Sequence, residues 1–408
     1  MQNSVTPLQQ GDFVLYKNSP VRIVTILKDY CYGMGETRDL GSVEVYSPTV
    51  TRLNPKDFHS PAWRSLMFHN PRIGLSGTDP EIFAFDATGQ VVPSFTYLHS
   101  KAVAIDEYNQ TSDSVPLPPL SGPVFWDGFQ GEMAPPPCAC HEVLIARIGG
   151  CLRKMAERLP LGAYLQTADV VEIPLEVLQE APSAFVEFGC SPSLNAYGDD
   201  LYPRIHFSDP YQHRLRYSGC HLHFSWGLAD IPAPPWYPDG TVMMMDKVLG
   251  ILLTAFGRGL EDPRRRVAYG RPGEYRLPGP GRLEYRTPGS FLLRNPRIFN
   301  FALDVGRWAF GMGLRYDGRR PDFLSEAHQI IACADADAAC QYIKQHWDLF
   351  KAVMAKLYGS TLASQALYLV MEGAQASGMT EGPLLPRWSS PSTYVKSFSA
   401  QLMDQELA

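Results

Sequence analysis

The chain is short of cysteine, of surplus positive charge and of long apolar runs, and each shortage removes a class of protein. Eight cysteines among 408 residues are too few for a disulfide scaffold, so free thiols in a reducing cytoplasm are expected. With a formal net charge of −6 and no long basic run, the chain is not built for general nucleic-acid binding. The longest apolar stretch, 248–257, has roughly half the length needed to cross a bilayer. The first residues, MQNSVTPLQQGD, carry neither the charged nor the apolar region of a secretory signal, which again points to a cytoplasmic protein. Several catalytic signatures are missing too. There is no GxxxxGK followed by Ser or Thr, no GxGxxG and no GxSxG, and His141-Glu142 is followed by Val, Leu and Ile instead of completing HExxH.

What is present is a globular composition, 45% hydrophobic and 19% charged, with 34 glycines and 35 prolines that call for many turns and long functional loops. The length suits one large domain with a small one, or two of medium size. Over residues 1–58, short β-rich runs (13–16, 21–27, 43–46 and 49–53) alternate with turn material. This spacing predicts a small SH3-like β-barrel, or else a β-rich extension packed on the main domain. Residues 59–73 read as a connection, and 74–408 as one large α+β domain. Strands are expected at 81–85, 122–129, 185–190, 220–224 and 282–286, and helices at 141–158, 242–259 and 297–313. The tail from about 325 to 371 is helical in pattern and reads as a cover for the core. Proline-rich stretches at 116–119, 135–137 and 232–238 read as active-site flaps or surface crossings.

Four segments carry chemistry, and each has a plain alternative. In GTDPEIFAF (77–85), Asp79 and Glu81 share one face of an extended segment, where two carboxylates repel unless a cation sits between them; the alternative is a turn. In WDGFQGEM (126–133), Asp127 and Glu132 lie among apolar and glycine residues and must be paired, protonated or metal-bound if buried. In SGCHLHFSW (218–226), His221 and His223 share a strand face and suit a metal or phosphate oxygens, or are two satisfied histidines on a half-exposed sheet. In LEYRTP (283–288), Glu284 stands beside Arg286, as a metal-binding carboxylate next to a phosphate-gripping guanidinium or as a surface ion pair. Upstream, YGRPGEYR (269–276) offers Arg271 and Arg276 in a glycine-rich stretch able to approach a triphosphate. A zinc site from Cys138, Cys140 and His141 with His221 and His223 does not match the usual ligand spacing.

Taken together, three strands each present a polar pair two residues apart, and a fourth segment adds two acids. A sheet face bearing carboxylates, imidazoles and arginines cannot pack into a core and has to line a cavity for ions and a charged ligand. Five carboxylates balanced by two or three arginines is the make-up expected for two or more Mg²⁺ ions cradling a nucleotide.

The order of these motifs resembles the glutamine synthetase and γ-glutamylcysteine synthetase superfold. The blocks WDG…GEM, GCSPSLNAY (189–197) and YG…GEYR look like its phage-type COOH–NH₂ ligase (amidoligase) branch. The resemblance covers roughly residues 74–300. It implies a curved antiparallel sheet with covering helices and an ATP-dependent carboxylate–amine ligase that works through an acyl phosphate with Mg²⁺ or Mn²⁺. Its substrates would be a small-molecule or peptide carboxylate and an amine. The implied metal ligands are Asp79, Glu81, Asp127, Glu132 and Glu284; Arg276, Arg286 and His221 would be catalytic, and with Arg271 and His223 would meet the nucleotide. The chain departs from the pattern at two points: Asp79-Pro80-Glu81 replaces Glu-x-Glu, and His223 stands where the synthetases more often have Asn. The rival functions are a metal-dependent hydrolase and a non-catalytic phage component that kept the fold.

Overall fold

A computed structural model of the chain describes residues 75–389 apart from 114–120, 138–140, 187–192, 204–208, 226–232, 280, 320–325 and 381–382, together with the backbone of five strands nearer the N-terminus. Those five are β1 (Phe13–Tyr16), β2 (Ser19–Leu27), β3 (Tyr30–Met34), β4 (Val43–Glu44) and β5 (Thr51–Arg52). They pair antiparallel in the order β4-β3-β2-β1-β5, and none pairs with a strand of the larger sheet. Among the described residues these strands make a five-stranded sheet in which no β4–β5 pairing is seen, so the barrel expected over 1–58 is not shown. The connection expected at 59–73 lies outside the described residues.

Eleven strands follow: β6 (Ser76–Phe85), β7 (Val91–Val92), β8 (Val124–Asp127), β9 (Gln130–Met133), β10 (Tyr164–Gln166), β11 (Val170–Glu172), β12 (Leu194–Asn195), β13 (Leu215–Tyr217), β14 (Cys220–Ser225), β15 (Glu274–Gly279) and β16 (Arg282–Tyr285). Nine of them form an antiparallel sheet along the path β12-β15-β16-β14-β6-β9-β8, with β7 and β10 pairing to β6, while β11 and β13 make a separate ladder. The long central strand β6 therefore carries most of the register. Opposite it, Asp79 pairs with His221 and Glu81 with Glu132, while on the next strand over His223 pairs with Glu284.

Side chains alternate across the sheet, and the two faces differ in kind. One face presents Ile82, Cys220, Leu222, Phe224, Leu283, Tyr285 and Met133 to the main core. Against it lie α1 (Lys101–Asp113) at the edge, α2 (His141–Arg158), α3 (Asp239–Met245), α4 (Ile251–Phe256) and α5 (Pro296–Gly313). Helix α5 opens on Asn295, whose side chain accepts from Arg297 N at 2.8 Å, with Pro296 in its first turn. Phe310 of this helix stacks on Phe224 at 5.8 Å. Gly306 is what allows that approach, since a Cβ there would stand 2.5 Å from the Phe224 ring. Helices at Ala327–Ala332, Ala336–Gln345, Trp347–Tyr358 and Ala363–Glu372 fill the stretch expected to be helical and pack on the same core. Among the described residues no helix is long and apolar enough to cross a membrane.

Some expectations need correction. The segment 122–129 is not one strand: Gly128, at φ 63°, turns the chain into the β8–β9 hairpin. Ser183–Val186 forms a helical turn, so 185–186 are not strand, and 187–190 lie outside the described residues. The helix expected at 242–259 begins at Asp239, widens into a π-turn over Asp246–Gly250 and ends at Phe256. Buried Asp246, held by the Tyr285 hydroxyl at 2.5 Å, sits in that widened turn.

Candidate active site

The second face of the sheet carries Asp79 and Glu81 on β6, His221 and His223 on β14, Glu284 on β16 with Arg286 just beyond it, Arg276 on β15, Glu132 on β9 and Asp127 on β8. All are buried or half-buried; Glu284 is 4% exposed and Arg286 1%. A surface ion pair is thereby excluded for Glu284–Arg286. The ends of the two central strands are fixed from one point. Fully buried Arg265 donates to the carbonyls of Ser218 (2.7 Å), Thr287 (2.8 Å) and Pro288 (2.9 Å), which flank β14 and β16.

At the middle of the face, one oxygen of Asp79 lies 3.0 Å from His221 Nδ1, and the other lies 3.2 Å from His223 Nε2. Glu284 Oε1 is 3.7 Å from His221 Nδ1 and 3.8 Å from an Arg276 nitrogen, and it accepts a short hydrogen bond from Arg286. Ligand atoms of Asp79, His221 and Glu284 all lie within 4.8 Å of one another. Despite these approaches, Asp79 Oδ1 and His223 Nε2 are buried without an aligned hydrogen-bond partner. Arg282 donates to His223 Nδ1 at 2.6 Å; a guanidinium is always a donor, so the His223 proton resides on Nε2.

Toward the β9 side, Glu81 accepts from Gly219 N at 2.7 Å and from the Tyr269 hydroxyl at 2.9 Å. The same hydroxyl lies 2.8 Å from His221 Nε2. Gly219 has no room for a side chain: a Cβ would meet Arg265 at 2.6 Å and His221 Nε2 at 3.2 Å. Lys101, mostly exposed at the start of α1, reaches to 3.7 Å from Glu132 and lies over the Phe125 ring.

These surroundings divide the acids. Burial raises the Asp79 carboxyl, but His223 and His221 beside it outweigh burial and hold it well below the usual carboxylate range. Glu284 is likewise lowered, with His221 and Arg286 overcoming its burial. Burial, reinforced by the nearby Asp127 charge, pushes Glu81 up to about 8 against Arg286 and Tyr269. Glu132 is raised by burial and by Asp79 and Asp127, and Asp127 by burial against the pull of Lys101, Arg286 and Arg276. His221 is pushed down to about 4 by burial and Arg286, so its ring is neutral at pH 7. The face thus sets two carboxylates held low and a neutral imidazole beside three acids that burial and neighbouring carboxylates push upward.

The structure brings together nine of the ten residues singled out in the sequence. Arg271 is the exception. Its guanidinium is buried against Glu274 at 2.7 Å and the Pro203 carbonyl at 2.7 Å, bracing the turn that carries Arg276. The zinc arrangement does not form around His141. That ring meets Ser76 Oγ at 3.2 Å and Asp304 at 2.8 Å on the helix-covered side, away from His221 and His223; Cys138 and Cys140 lie outside the described residues. Sequence reasoning missed Tyr269, Arg282 and Lys101. Arg282 was detectable, because it continues the Glu284–Arg286 alternation by one step. Nothing in the local sequence marked the other two.

No family model matches the chain, and no curated protein matches it. Among solved structures, a bifunctional glutathione synthetase from Pasteurella multocida is similar with TM-score 0.42 and 11% identity, over 83% of this chain and 52% of that one. The chain thus spans about half the length of that protein. GmaS without ligand is similar with TM-score 0.40 and 13% identity, over 91% of this chain and 85% of that one. A GmaS/ADP complex gives TM-score 0.39 and 14% identity, over 91% and 86%. Likeness at this level assigns neither activity nor residue roles.

Proposed function

We propose that the chain is an ATP-dependent carboxylate–amine ligase of the glutamine synthetase-like superfold, of the phage-type amidoligase branch. It would join a small-molecule or peptide carboxylate to an amine through an acyl phosphate, releasing ADP and phosphate. One observation carries this: Asp79, His221 and Glu284 converge within 4.8 Å on a buried face that also holds Arg276 and Arg286. The residues present fit a divalent cation. Asp79 Oδ1 is a buried acceptor without an aligned donor, and two carboxylates with one neutral imidazole are a donor set for Mg²⁺ or Mn²⁺. In this proposal Asp79, His221 and Glu284 hold one cation, and Glu81, Asp127 and Glu132 form a second acidic set. Bound there, magnesium-ATP supplies the γ-phosphoryl group and the charge cancellation without which a carboxylate cannot approach a triphosphate.

The chain's own groups do the positioning. Arg286, fixed from below by Glu284, and Arg276, whose side chain is 28% exposed, hold phosphate oxygens. His223 Nε2–H, a buried donor with no aligned acceptor, donates to a ligand oxygen. Arg271 is left with a bracing role. A division into residues 1–58 and 74–408 and a cytoplasmic site of action belong to the same proposal. The test is a screen of acid and amine pairs for Mg²⁺-dependent ADP release, with mass spectrometry of the product. ADP and an amide adduct appearing together support the ligase. Hydrolysis of an amide without ATP would instead select a metal-dependent hydrolase, which needs the cations and no nucleotide.

A further inference from the structure

We propose that Lys101 competes with a divalent ion for Glu132 and thereby governs the second acidic set of the site. The role rests on the cation reading given above. Lys101 is the first residue of α1, and the first turn of that helix holds no acid. A helix N-terminus carries a partial positive charge and favours carboxylates over ammonium groups, so local preference does not put a lysine there. The sheet edge holds it in place. Trp126 N on β8 donates to the His99 carbonyl at 3.1 Å, and Ala104, one turn into the helix, is fully buried. The base of Lys101 is therefore fixed against β8, while its side chain is 63% exposed.

From that base the stem reaches over the Phe125 ring, with Nζ 4.7 Å from the ring centroid and 3.7 Å from Glu132 Oε1. Phe125 and Glu132 are register partners on β8 and β9, and Glu132 pairs in turn with Glu81 on β6. The ammonium thus stands at the β8 edge of the acidic row, at the opposite end of the face from Arg276 on β15. Its charge acts on Asp127 as well as on Glu132, against the burial of both.

The two acidic sets differ in this respect. Ligand atoms of Asp79, His221 and Glu284 close to within 4.8 Å of one another, whereas among the described residues Glu81, Asp127 and Glu132 form no such group. Glu132 is engaged by Lys101 instead. For a divalent ion to take Glu132 the ammonium has to leave it, because two cations at one carboxylate repel. The lysine can leave at little cost, since its flexible four-carbon stem has water to turn into.

The test is Mn²⁺ binding to the full chain without nucleotide. Wild type is expected to take up two ions, and Glu132→Gln to lose one of them. Lys101→Met keeps an unbranched stem over Phe125 and removes the charge, so it should bind that ion about three- to fivefold more tightly. Lys101→Arg, which keeps the charge, should stay within about twofold of wild type. A damaged fold does not produce a gain in affinity, and neither does a lysine that only packs α1 against the sheet. Wild type binding no Mn²⁺ overturns the cation reading and this role with it. Two ions, one lost in Glu132→Gln, with Lys101→Met unchanged or weaker, overturn the Lys101 role alone; so does equal tightening in Lys101→Arg. A single ion indifferent to Glu132→Gln also overturns the role and leaves the Asp79–His221–Glu284 reading standing. The wild-type chain gives a second readout. Reductive methylation of Lys101, mapped by mass spectrometry, should become about threefold faster with Mn²⁺ as the amine leaves Glu132, and a rate unchanged at saturating Mn²⁺ refutes the exchange.

Discussion

Replacing Glu284 by Gln takes one negative charge from the centre of the site with almost no change of shape, and the geometry sets what should follow. The Glu284 oxygen lies within 4.8 Å of the ligand atoms of both Asp79 and His221, so an ion held among them stands no farther away than that. A divalent ion and a single carboxylate charge at that separation attract by about 7 kcal/mol at an effective dielectric constant of about 20. If desolvation offsets two thirds of this, about 2–3 kcal/mol remains, or about 30–150-fold in ion affinity. The metal-free fold should feel the change much less. The loss of attraction to Arg286 and Arg276 is set against relief of the repulsion between Glu284 and Asp79, which acts in the opposite direction. Titration of Mn²⁺ followed by the free-ion resonance measures the affinity, and urea unfolding in chelator measures the fold. Glu284→Gln binding Mn²⁺ as tightly as wild type would refute a ligand role for this carboxylate. A collapse of stability in chelator would make it a structural counter-ion instead.

Two further outcomes follow from the same geometry. Arg286→Lys keeps the charge but not the planar fork that reaches Glu284 and overlies Tyr269, so ADP release should fall by at least tenfold; activity within twofold of wild type would show that a point charge suffices. Away from the site, burial pushes Asp246 up to about 7, opposed by the hydrogen bonds of Tyr285 and Tyr197. Its folded value thus lies above the unfolded one, so its contribution to stability is full below about pH 4 and lost as pH rises through about 7, by at most about 4 kcal/mol. Asp246→Asn should flatten the stability profile between pH 4 and 8, and an unchanged slope would place that dependence on other groups.

How much of this was legible in the sequence depends on the range over which each signal acts. The polar pairs at 79/81, 221/223 and 284/286 could be read because strand alternation is local: two residues apart means one face, whatever the strand pairs with. That they face each other across β16, β14 and β6 is a matter of register, which only the folded sheet supplies. Tyr269 stayed hidden for the same reason, since its partners are 188 and 48 positions away. Helix α1 was missed because KAVAIDEYNQTSD has no apolar stripe, and Lys101 went with it. Arg271 and Arg276 looked alike in sequence. Glu274, three residues beyond Arg271, draws that side chain down onto the turn, whereas Arg276 projects from β15 beside Glu284.

The central claim is that the polar face of the sheet takes a nucleotide through divalent cations. Titration calorimetry of ATP into the wild-type chain, once with Mg²⁺ and once in excess chelator, tests it most directly. The account predicts saturable binding with Mg²⁺ and at least a hundredfold loss of affinity in chelator, because without a cation the Asp79 and Glu284 charges confront the triphosphate beside three further acids. ATP binding of equal strength in chelator would contradict it and would remove Asp79, Glu81, Asp127, Glu132 and Glu284 from the nucleotide site together.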